Sequence, residues 1–142
     1  MIVSGLSREP LDVSALVARI RRDDCGGLVV FEGSTRSPSN GRVVLGLEYE
    51  AYEARAERQL RELAEEAVTR GGLGGVVAVH RTGTVAPGEA SVLVACAAAH
   101  RAEAFECARW LIDAIKSDVA IWKKEIFEDG SAWAGVPEPM RP

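Results

Sequence analysis

The sequence predicts an α+β domain in which helices pack on a largely antiparallel sheet. The predicted elements run in the order α, β, β, α, β, β, α, β, which differs from the strict alternation of a parallel α/β fold. The loop around Pro87 and Gly88 is short enough for its two flanking strands to pair as an antiparallel hairpin. The 142 residues contain no linker or low-complexity tract, so we expect one domain over residues 1–142.

In the N-terminal half, apolar spacing and turn residues set the predicted boundaries. Val13, Leu16, Val17 and Ile20 form one helical stripe, and Pro10 occupies an early helix position where proline is favoured. The predicted elements are an edge strand or arm at 1–7, a helix at 10–22, a buried strand at 28–31, a loop at 34–41, a strand at 42–50 and a long helix at 51–70 that ends at Gly71-Gly72.

The C-terminal half continues with two strands, a helix and a lysine-rich segment. Residues 92–99 are nearly free of polar side chains and predict a buried strand, and the following helix has an apolar stripe that ends at Ile115. We expect a structural or interface role for His80-Arg81. The predicted elements are strands at 76–81 and 91–99, a helix from His100-Arg101, an extended segment within 116–125, a turn at 128–130 and a short strand around Trp133.

Charge and composition exclude several classes of function. Lys and Arg number 17 against 21 Asp and Glu, and the net charge of −4 disfavours general binding to nucleic acid. No apolar run approaches the roughly 20 residues that span a bilayer, and the N-terminus lacks signal-peptide organisation. We therefore expect a cytoplasmic protein without membrane contact. Cys25, Cys96 and Cys107 lack metal-ligand spacing, so we predict no metal or other cofactor, and we expect the last two to be buried.

Residues 116–125 are the strongest candidate for chemistry, because lysines bracket an apolar Val-Ala-Ile-Trp centre. Burial disfavours the charged form of an amine and moves it toward nucleophilic reactivity. Lys116 closes a predicted helix, where the helix dipole alone would also explain a cation. Lys123 and Lys124 should project to opposite faces of a strand, whereas Glu125 returns to the face of Lys123. That pair could form a solvated salt bridge or an acid/base couple.

Other cations lie where predicted elements begin or end. His100 and Arg101 follow a buried strand at a helix N-terminus, where backbone N–H groups and a planar guanidinium favour an anion such as phosphate. Alternatively, His100 caps the helix and Arg101 pairs with Glu103 or another neighbour. Arg36 lies among small hydroxyl residues in a loop, a setting that suits oxyanion or phosphate binding.

Six short segments between Gly27 and Trp133 are more specific as an ordered set than any of them is alone. The segments are Phe31-Glu32-Gly33-Ser34-Thr35-Arg36, Leu47-Glu48-Tyr49-Glu50-Ala51-Tyr52, His80-Arg81-Thr82-Gly83, Ala99-His100-Arg101-Ala102-Glu103-Ala104-Phe105, Asp113-Ala114-Ile115-Lys116 and Ile121-Trp122-Lys123-Lys124-Glu125. In this set the chain resembles the large, catalytic subunit of molybdopterin synthase. The family usually has a proline where this sequence has Ala120.

The resemblance implies an α/β hammerhead-type fold and a homodimer of large subunits within a heterotetramer, each large subunit binding one small ubiquitin-like sulfur carrier. The carrier's C-terminal thiocarboxylate would donate sulfur to cyclic pyranopterin monophosphate (precursor Z), and two insertions would form the dithiolene of molybdopterin. The family's catalytic lysines match Lys116 and Lys123. Its substrate-binding positions match Ser34, Thr35, Arg36, His100, Arg101, Lys124 and Glu125.

This resemblance suggests a role for each cation. We expect Lys116 to activate or transiently hold the acyl group and Lys123 to stabilise developing charge, while Arg36, His100 and Arg101 anchor the phosphate. Two other classes of protein compete with this interpretation. A non-catalytic module that binds a ubiquitin-like partner or a phosphorylated ligand would not need both lysines. A phosphoester-processing enzyme with His100 as general acid would need a divalent metal, for which the sequence has no carboxylate-rich cluster.

Overall fold

Two four-stranded sheets and three helices form the regular structure of residues 1–39 and 41–134, which are the residues that the computed structural model describes. Helices packed on mostly antiparallel sheets confirm the predicted α+β class. The elements are β1 (Ile2–Ser7), α1 (Val13–Ala18), β2 (Gly27–Ser34), β3 (Val44–Ala51), α2 (Glu53–Gly71), β4 (Gly75–Arg81), β5 (Gly83–Val85), β6 (Ala90–Ala98), α3 (Arg101–Asp118), β7 (Ile121–Phe127) and β8 (Gly130–Ala134).

The first sheet has the strand order β1-β4-β6-β2, and β6 is antiparallel to both of its neighbours. The predicted hairpin is present between β4 and β6, and β1 is an edge strand that pairs in parallel with β4. A core that includes Leu60 and Leu111 joins α2 and α3 to one face of the sheet, and Val17 and Ile20 pack on the other face. Burial on both faces explains the unbroken apolar run of β6.

The second sheet, in the order β5-β3-β7-β8, is antiparallel in each of its pairings. It has a small core of Leu47, Tyr49 and Val85. The sequence did not predict β5, because three residues are too few to show an alternating pattern. Thr82 alone separates β5 from β4, so the chain passes directly from the first sheet to the second.

The first helix is shorter than predicted. It covers Val13–Ala18 rather than residues 10–22. Its N-cap is Asp12, whose side chain accepts a hydrogen bond from the Ala15 amide, so the helix begins after the proline. Ile20 lies beyond the helix and is still fully buried. The apolar stripe therefore indicated burial correctly but extended past the helical backbone.

The first predicted strand also needs a correction. The strand is present as β2, but the prediction that it is buried is wrong, because Val30 is 42% exposed and Phe31 is 40% exposed. β2 lies at the edge of the first sheet, where its only strand partner among the described residues is β6. The strands predicted at 42–50, 76–81 and 91–99 and the helix predicted at 51–70 agree with the structure to within two residues.

Candidate active site

The tight connection between α3 and β7 brings Lys116 and Lys123 together. The apolar stripe of α3 buries Ile115, which places Lys116 at the margin of the core in the last helical turn. The helix ends at Asp118 and β7 begins three residues later. Lys123 is the third residue of β7, so its side chain returns toward the end of the helix.

Gln59 of α2 holds this connection in place. Its Oε1 accepts a hydrogen bond of 2.8 Å from the Ala120 amide, and its Nε2 donates one of 3.0 Å to the Asp118 carbonyl. Ala120 is fully buried, and its carbonyl accepts a hydrogen bond from the Tyr52 amide. Proline has no N–H to donate. The alanine at the position of the usual proline therefore replaces a rigid ring with a hydrogen bond to Gln59.

Both lysines line a cavity of about 230 Å³ that we call the hydroxyl cavity. Ser34, Thr35 and Arg36 line it from the end of β2 and the following loop. Glu125 lies in its wall two residues after Lys123, on the same face of β7 as predicted. One chain thus brings six of the nine predicted site residues to a single cavity.

Thr35 contributes a buried hydroxyl that lacks a hydrogen-bond partner. The residue is 5% exposed, and no described residue hydrogen-bonds its Oγ1. Its backbone is held on both sides, because its amide donates to the Glu89 carbonyl over 3.2 Å and its carbonyl accepts from the Gly88 amide over 2.9 Å. Buried polar groups in native proteins nearly always have partners. The Thr35 hydroxyl is therefore an unsatisfied buried group in the wall of the hydroxyl cavity.

Both lysines also line a second cavity of about 240 Å³, which we call the aromatic cavity. Tyr49 is 6% exposed and lines both cavities, so its ring and the two lysines form the boundary between them. This arrangement lets two different molecules approach the same amines from two directions. The other residues lining the aromatic cavity are His80, Ile115, Ile121 and Trp122.

The electrostatic setting favours a reactive amine at Lys116. Its pKa is lowered, first because protein atoms displace water from the amine and second because the positive charge of Lys123 is close. The residue still reaches solvent, so the amine remains partly hydrated. Within residues 1–39 and 41–134, neither lysine forms an ion pair with a carboxylate. The salt bridge considered for Lys123 and Glu125 is therefore absent, although both residues line the same cavity.

Three predicted site residues lie away from both cavities in a single chain. Lys124 projects from the opposite face of β7, in register with Glu48 of β3. His100 and Arg101 lie at the start of α3, and at 1.5 Å per residue Arg101 is about 22 Å from Lys116 along the helix axis. The expected cluster of cations is therefore incomplete within one chain.

The structural explanations considered for His100 and Arg101 are wrong. His100 occupies the N-cap position of α3, but its side chain makes no capping hydrogen bond. Arg101 forms no ion pair with Glu103 or with any other described carboxylate, and the Glu103 Oε2 atom is buried without a partner. Both residues of the dipeptide are exposed. The structure of one chain thus gives them no internal role.

Sequence reasoning missed Tyr49 and His80. Tyr49 stands between the acidic residues Glu48 and Glu50 in the sequence, but it alternates with Leu47 on the inward face of β3. That alternation was the available signal. His80 packs edge-on against Tyr49 with ring centroids 4.8 Å apart and lines the aromatic cavity. Arg81 fits the expected structural role, because it is 4% exposed and donates to two backbone carbonyls.

Other predicted features concern metals, membranes and cysteines. Within the described ranges, no group of three or more His, Cys, Asp or Glu side chains is arranged to hold a metal ion. No helix in this part of the chain has the length and apolar character needed to cross a bilayer. Cys96 and Cys107 are buried as predicted, and burial raises the pKa of Cys96 to about 12.

Comparison with known proteins relates the chain to one family. A family model described as MoaE protein matches residues 6–118. The molybdopterin synthase catalytic subunit of Oryza sativa subsp. indica is 46% identical over 123 residues, which cover 87% of this chain and 64% of the rice protein. The chain thus spans somewhat less than two thirds of the length of that relative.

Two solved structures share the fold. The X-ray crystal structure of molybdopterin synthase from Staphylococcus aureus superposes with a TM-score of 0.83 at 34% identity, covering 92% of this chain and 95% of that chain. A complex of subunits 1 and 2 of molybdopterin-converting factor from Helicobacter pylori 26695 gives a TM-score of 0.75 at 24% identity, covering 98% of this chain and 93% of that chain. At 24% identity, the likeness to the Helicobacter pylori complex concerns the fold alone.

Proposed function

The chain belongs to the MoaE protein family, and we propose that it is the catalytic subunit of a molybdopterin synthase. In the proposed reaction, sulfur from the C-terminal thiocarboxylate of a small carrier protein is inserted twice into cyclic pyranopterin monophosphate to form a dithiolene. The observation that carries the proposal is the position of Lys116 and Lys123 between two cavities. A reaction between a protein tail and a small molecule needs two approaches to the same reactive groups.

We assign the hydroxyl cavity to the phosphorylated pterin. The Arg36 guanidinium suits a phosphate, and the Ser34 hydroxyl and the unpartnered Thr35 hydroxyl suit the polar edge of a pterin ring. Glu125 lies beside Lys123 in this cavity, where its carboxylate can accept or return a proton. Lys124 is outside this set, because it lies on the opposite face of β7.

We assign the aromatic cavity to the tail of the carrier. A C-terminal glycine has no side chain, so an extended tail can pass between the apolar walls formed by Ile115, Ile121 and Trp122 and bring its thiocarboxylate to the lysines. The Helicobacter pylori protein of the same fold is a complex of two subunits, which supports assembly with a second protein.

The chemistry calls for an amine and a positive charge at the acyl carbon of the tail. The thiocarboxylate sulfur adds to a carbonyl carbon of the pterin side chain, and the carbonyl oxygen takes up protons and leaves as water. The new carbon–sulfur bond links carrier and pterin through a thioester. Hydrolysis of the acyl–sulfur bond then leaves sulfur on the pterin and a carboxylate on the carrier. Lys116, with its lowered pKa, activates or transiently holds the acyl group. Lys123 stabilises the oxyanion that develops at the acyl carbon.

We propose that a second copy of the chain supplies His100 and Arg101. β2 is an edge strand of the first sheet, and exposed Val30, Phe31 and Phe105 line a groove between this strand and α3. An unpaired edge with exposed apolar side chains is a surface that proteins usually cover. A two-fold contact with the same surface of a second copy would cover it.

Because of the direction of α3, such a contact would bring His100 and Arg101 of one copy toward Lys116 of the other. The start of α3 at Arg101 lies close to Gly27 at the start of β2, and further along the groove Phe31 lines the same wall as Lys116. A two-fold axis across this edge runs the two α3 helices antiparallel. The N-terminus of one α3 then approaches the C-terminus of the other, so His100 and Arg101 of one copy can bind phosphate beside Lys116 of its partner.

The test is turnover of purified variants with a thiocarboxylated carrier and cyclic pyranopterin monophosphate, with dithiolene formation as the readout. K116A should lose activity by about 10³-fold and K123A by about 10²-fold, the range for loss of an acid/base or oxyanion group. R61A removes a cation on the exposed face of α2 and should behave as wild type. Near-normal turnover of K116A would contradict the proposal, and release of phosphate from the pterin without any carrier would indicate a phosphoester-processing enzyme instead.

A further inference from the structure

His80 is a buried polar ring beside the two lysines, and the reaction proposed above assigns it no task. It is the next-to-last residue of β4 and is 4% exposed. Apart from Arg81, the other residues of this strand are apolar or glycine. The His80 ring lines the aromatic cavity together with Lys116 and Lys123. A polar ring in such a strand calls for a physical reason.

One hydrogen bond sets the tautomer of the ring. The Nδ1 atom of His80 lies 2.7 Å from the Arg81 carbonyl oxygen. Because a carbonyl oxygen only accepts, Nδ1 carries the hydrogen, and Nε2 of the neutral ring keeps a lone pair. No described residue forms a hydrogen bond with Nε2. The ring therefore has one acceptor atom that is free to serve a group in the cavity.

The surroundings orient the ring and keep it neutral. It packs edge-on against Tyr49 at an interplanar angle of 70°. Burial lowers the pKa of His80 to about 4, the Arg81 carbonyl opposes this effect, and the charge of Lys116 adds to the lowering. At neutral pH the ring is thus an uncharged acceptor among the cations Lys116, Lys123 and Arg81.

We propose that His80 is a positioning residue for Lys116. The Lys116 amine makes no hydrogen bond to a described residue in this conformation, and a rotation of its side chain within the aromatic cavity lets it donate one to Nε2. The inference deepens the proposed function and rests on it. An amine that donates one N–H to Nε2 keeps its own lone pair free to face the acyl carbon of the carrier tail, and no proton passes to the imidazole. The same acceptor favours the ammonium form of Lys116 and so opposes part of the desolvation.

Two amide variants separate this role from packing. In H80N the amide nitrogen takes the place of Nδ1 and retains the bond to the Arg81 carbonyl, but the acceptor in the cavity is lost. In H80Q the amide oxygen reaches the place of Nε2 and retains the acceptor. We expect H80N to lower kcat by about 30-fold with little change in KM for the pterin, and H80Q to stay within about threefold of wild type.

A second measurement reports on Lys116 without turnover. Acetylation of Lys116 by dilute acetic anhydride at pH 8, followed by mass spectrometry, measures the fraction of free amine. Loss of the acceptor lowers the pKa of Lys116 further, so labelling in H80N should rise by about threefold, while H80Q should label like wild type. Thermal unfolding of each variant shows whether it is folded.

These measurements distinguish a failure of the His80 role from a failure of the proposed function. Equal kcat values for folded H80N and H80Q, with unchanged labelling of Lys116, would overturn the positioning role and leave the proposed function intact. Normal turnover by K116A would overturn the proposed function, whereas the labelling experiment would still report the contact between His80 and Lys116. If H80N does not fold, H80Q and the labelling of Lys116 in H80F decide the question, because phenylalanine keeps the ring and removes the acceptor.

Discussion

Lys116 and Lys123 line the same two cavities, and the charge of Lys123 contributes to the lowered pKa of Lys116. One lysine ends a helix and the other lies in a strand, so their proximity depends on the short connection between α3 and β7. Two like charges held near each other cost free energy unless an anion joins them. A thiocarboxylate that reaches the boundary between the cavities would meet both amines.

Replacement of Lys123 should change the titration of Lys116. In K123M one positive neighbour is removed, so the pKa of Lys116 rises and less free amine is present at a given pH. Acetylation of Lys116 at pH 8 should fall by about threefold. K124M alters the adjacent lysine on the opposite face of β7 and should leave the labelling unchanged. Equal labelling in wild type and K123M would show that the two amines do not interact.

Replacement of Thr35 by valine should weaken substrate binding without destabilising the protein. T35V keeps the shape of the side chain and removes the unpartnered buried hydroxyl. We expect KM for the pterin to rise by about tenfold, the effect of one lost hydrogen bond to a ligand, and the free energy of unfolding to stay equal or increase by about 1 kcal/mol. T35S retains the hydroxyl and serves as the control. An unchanged KM in T35V would remove Thr35 from the binding site.

Gln59 should influence the reaction although it does not touch the cavities. Q59L removes the hydrogen bonds to the Ala120 amide and the Asp118 carbonyl and leaves both backbone groups unpaired. We expect a loss of about 2 kcal/mol in the free energy of unfolding by urea, together with a lower kcat, because the spacing of Lys116 and Lys123 loosens. Q59E keeps the acceptor for Ala120 and should retain more stability than Q59L. An unaltered kcat in Q59L would show that the two hydrogen bonds of Gln59 do not influence the reaction.

The protein should lose stability as the pH is lowered, because His80 is buried in its neutral form. Its pKa is about 4 in the folded protein, mainly through burial, and near 6.5 in an unfolded chain. As the pH drops from 7.5 to 5, the unfolded chain binds a proton that the folded protein does not bind. This single group therefore costs about 2 kcal/mol of stability over that interval. Urea unfolding at both pH values should show this component in wild type and not in H80Q, and a parallel loss in both would count against it.

A shared site predicts complementation between two inactive variants. When K116A and R101A chains are co-expressed at equal levels and pair at random, one of the two sites in each mixed dimer contains an intact Lys116 and an intact Arg101. About a quarter of all sites should then be active, although each variant alone is inactive. Dithiolene formation by the mixed preparation is the measurement. No recovery in a preparation that contains mixed dimers would place Arg101 in the same chain's site or outside the reaction.

Much of the fold was predictable because it depends on local periodicity. Continuous apolar residues predicted the buried β6, and the stripe that ends at Ile115 predicted the helix that carries Lys116. The alternation of side chains along a strand also predicted that Lys123 and Glu125 share a face and that Lys124 does not. Periodicity could not predict the three-residue β5 or the position where α1 begins. A pairing of three residues is too short to show a pattern, and the start of α1 depends on the capping side chain of Asp12.

The sequence by itself determined the α+β class and the opposite directions in which Lys123 and Lys124 project, because both follow from the spacing of neighbouring residues. Only the tertiary structure decided which groups meet. Strand pairing across long stretches of chain put β2 at an edge and set the His80 ring against Tyr49, and the loop after β2 left the Thr35 hydroxyl without a partner. The length of α3 likewise separated His100 and Arg101 from Lys116. Contacts between distant segments depend on register and packing, which no local pattern of residues specifies.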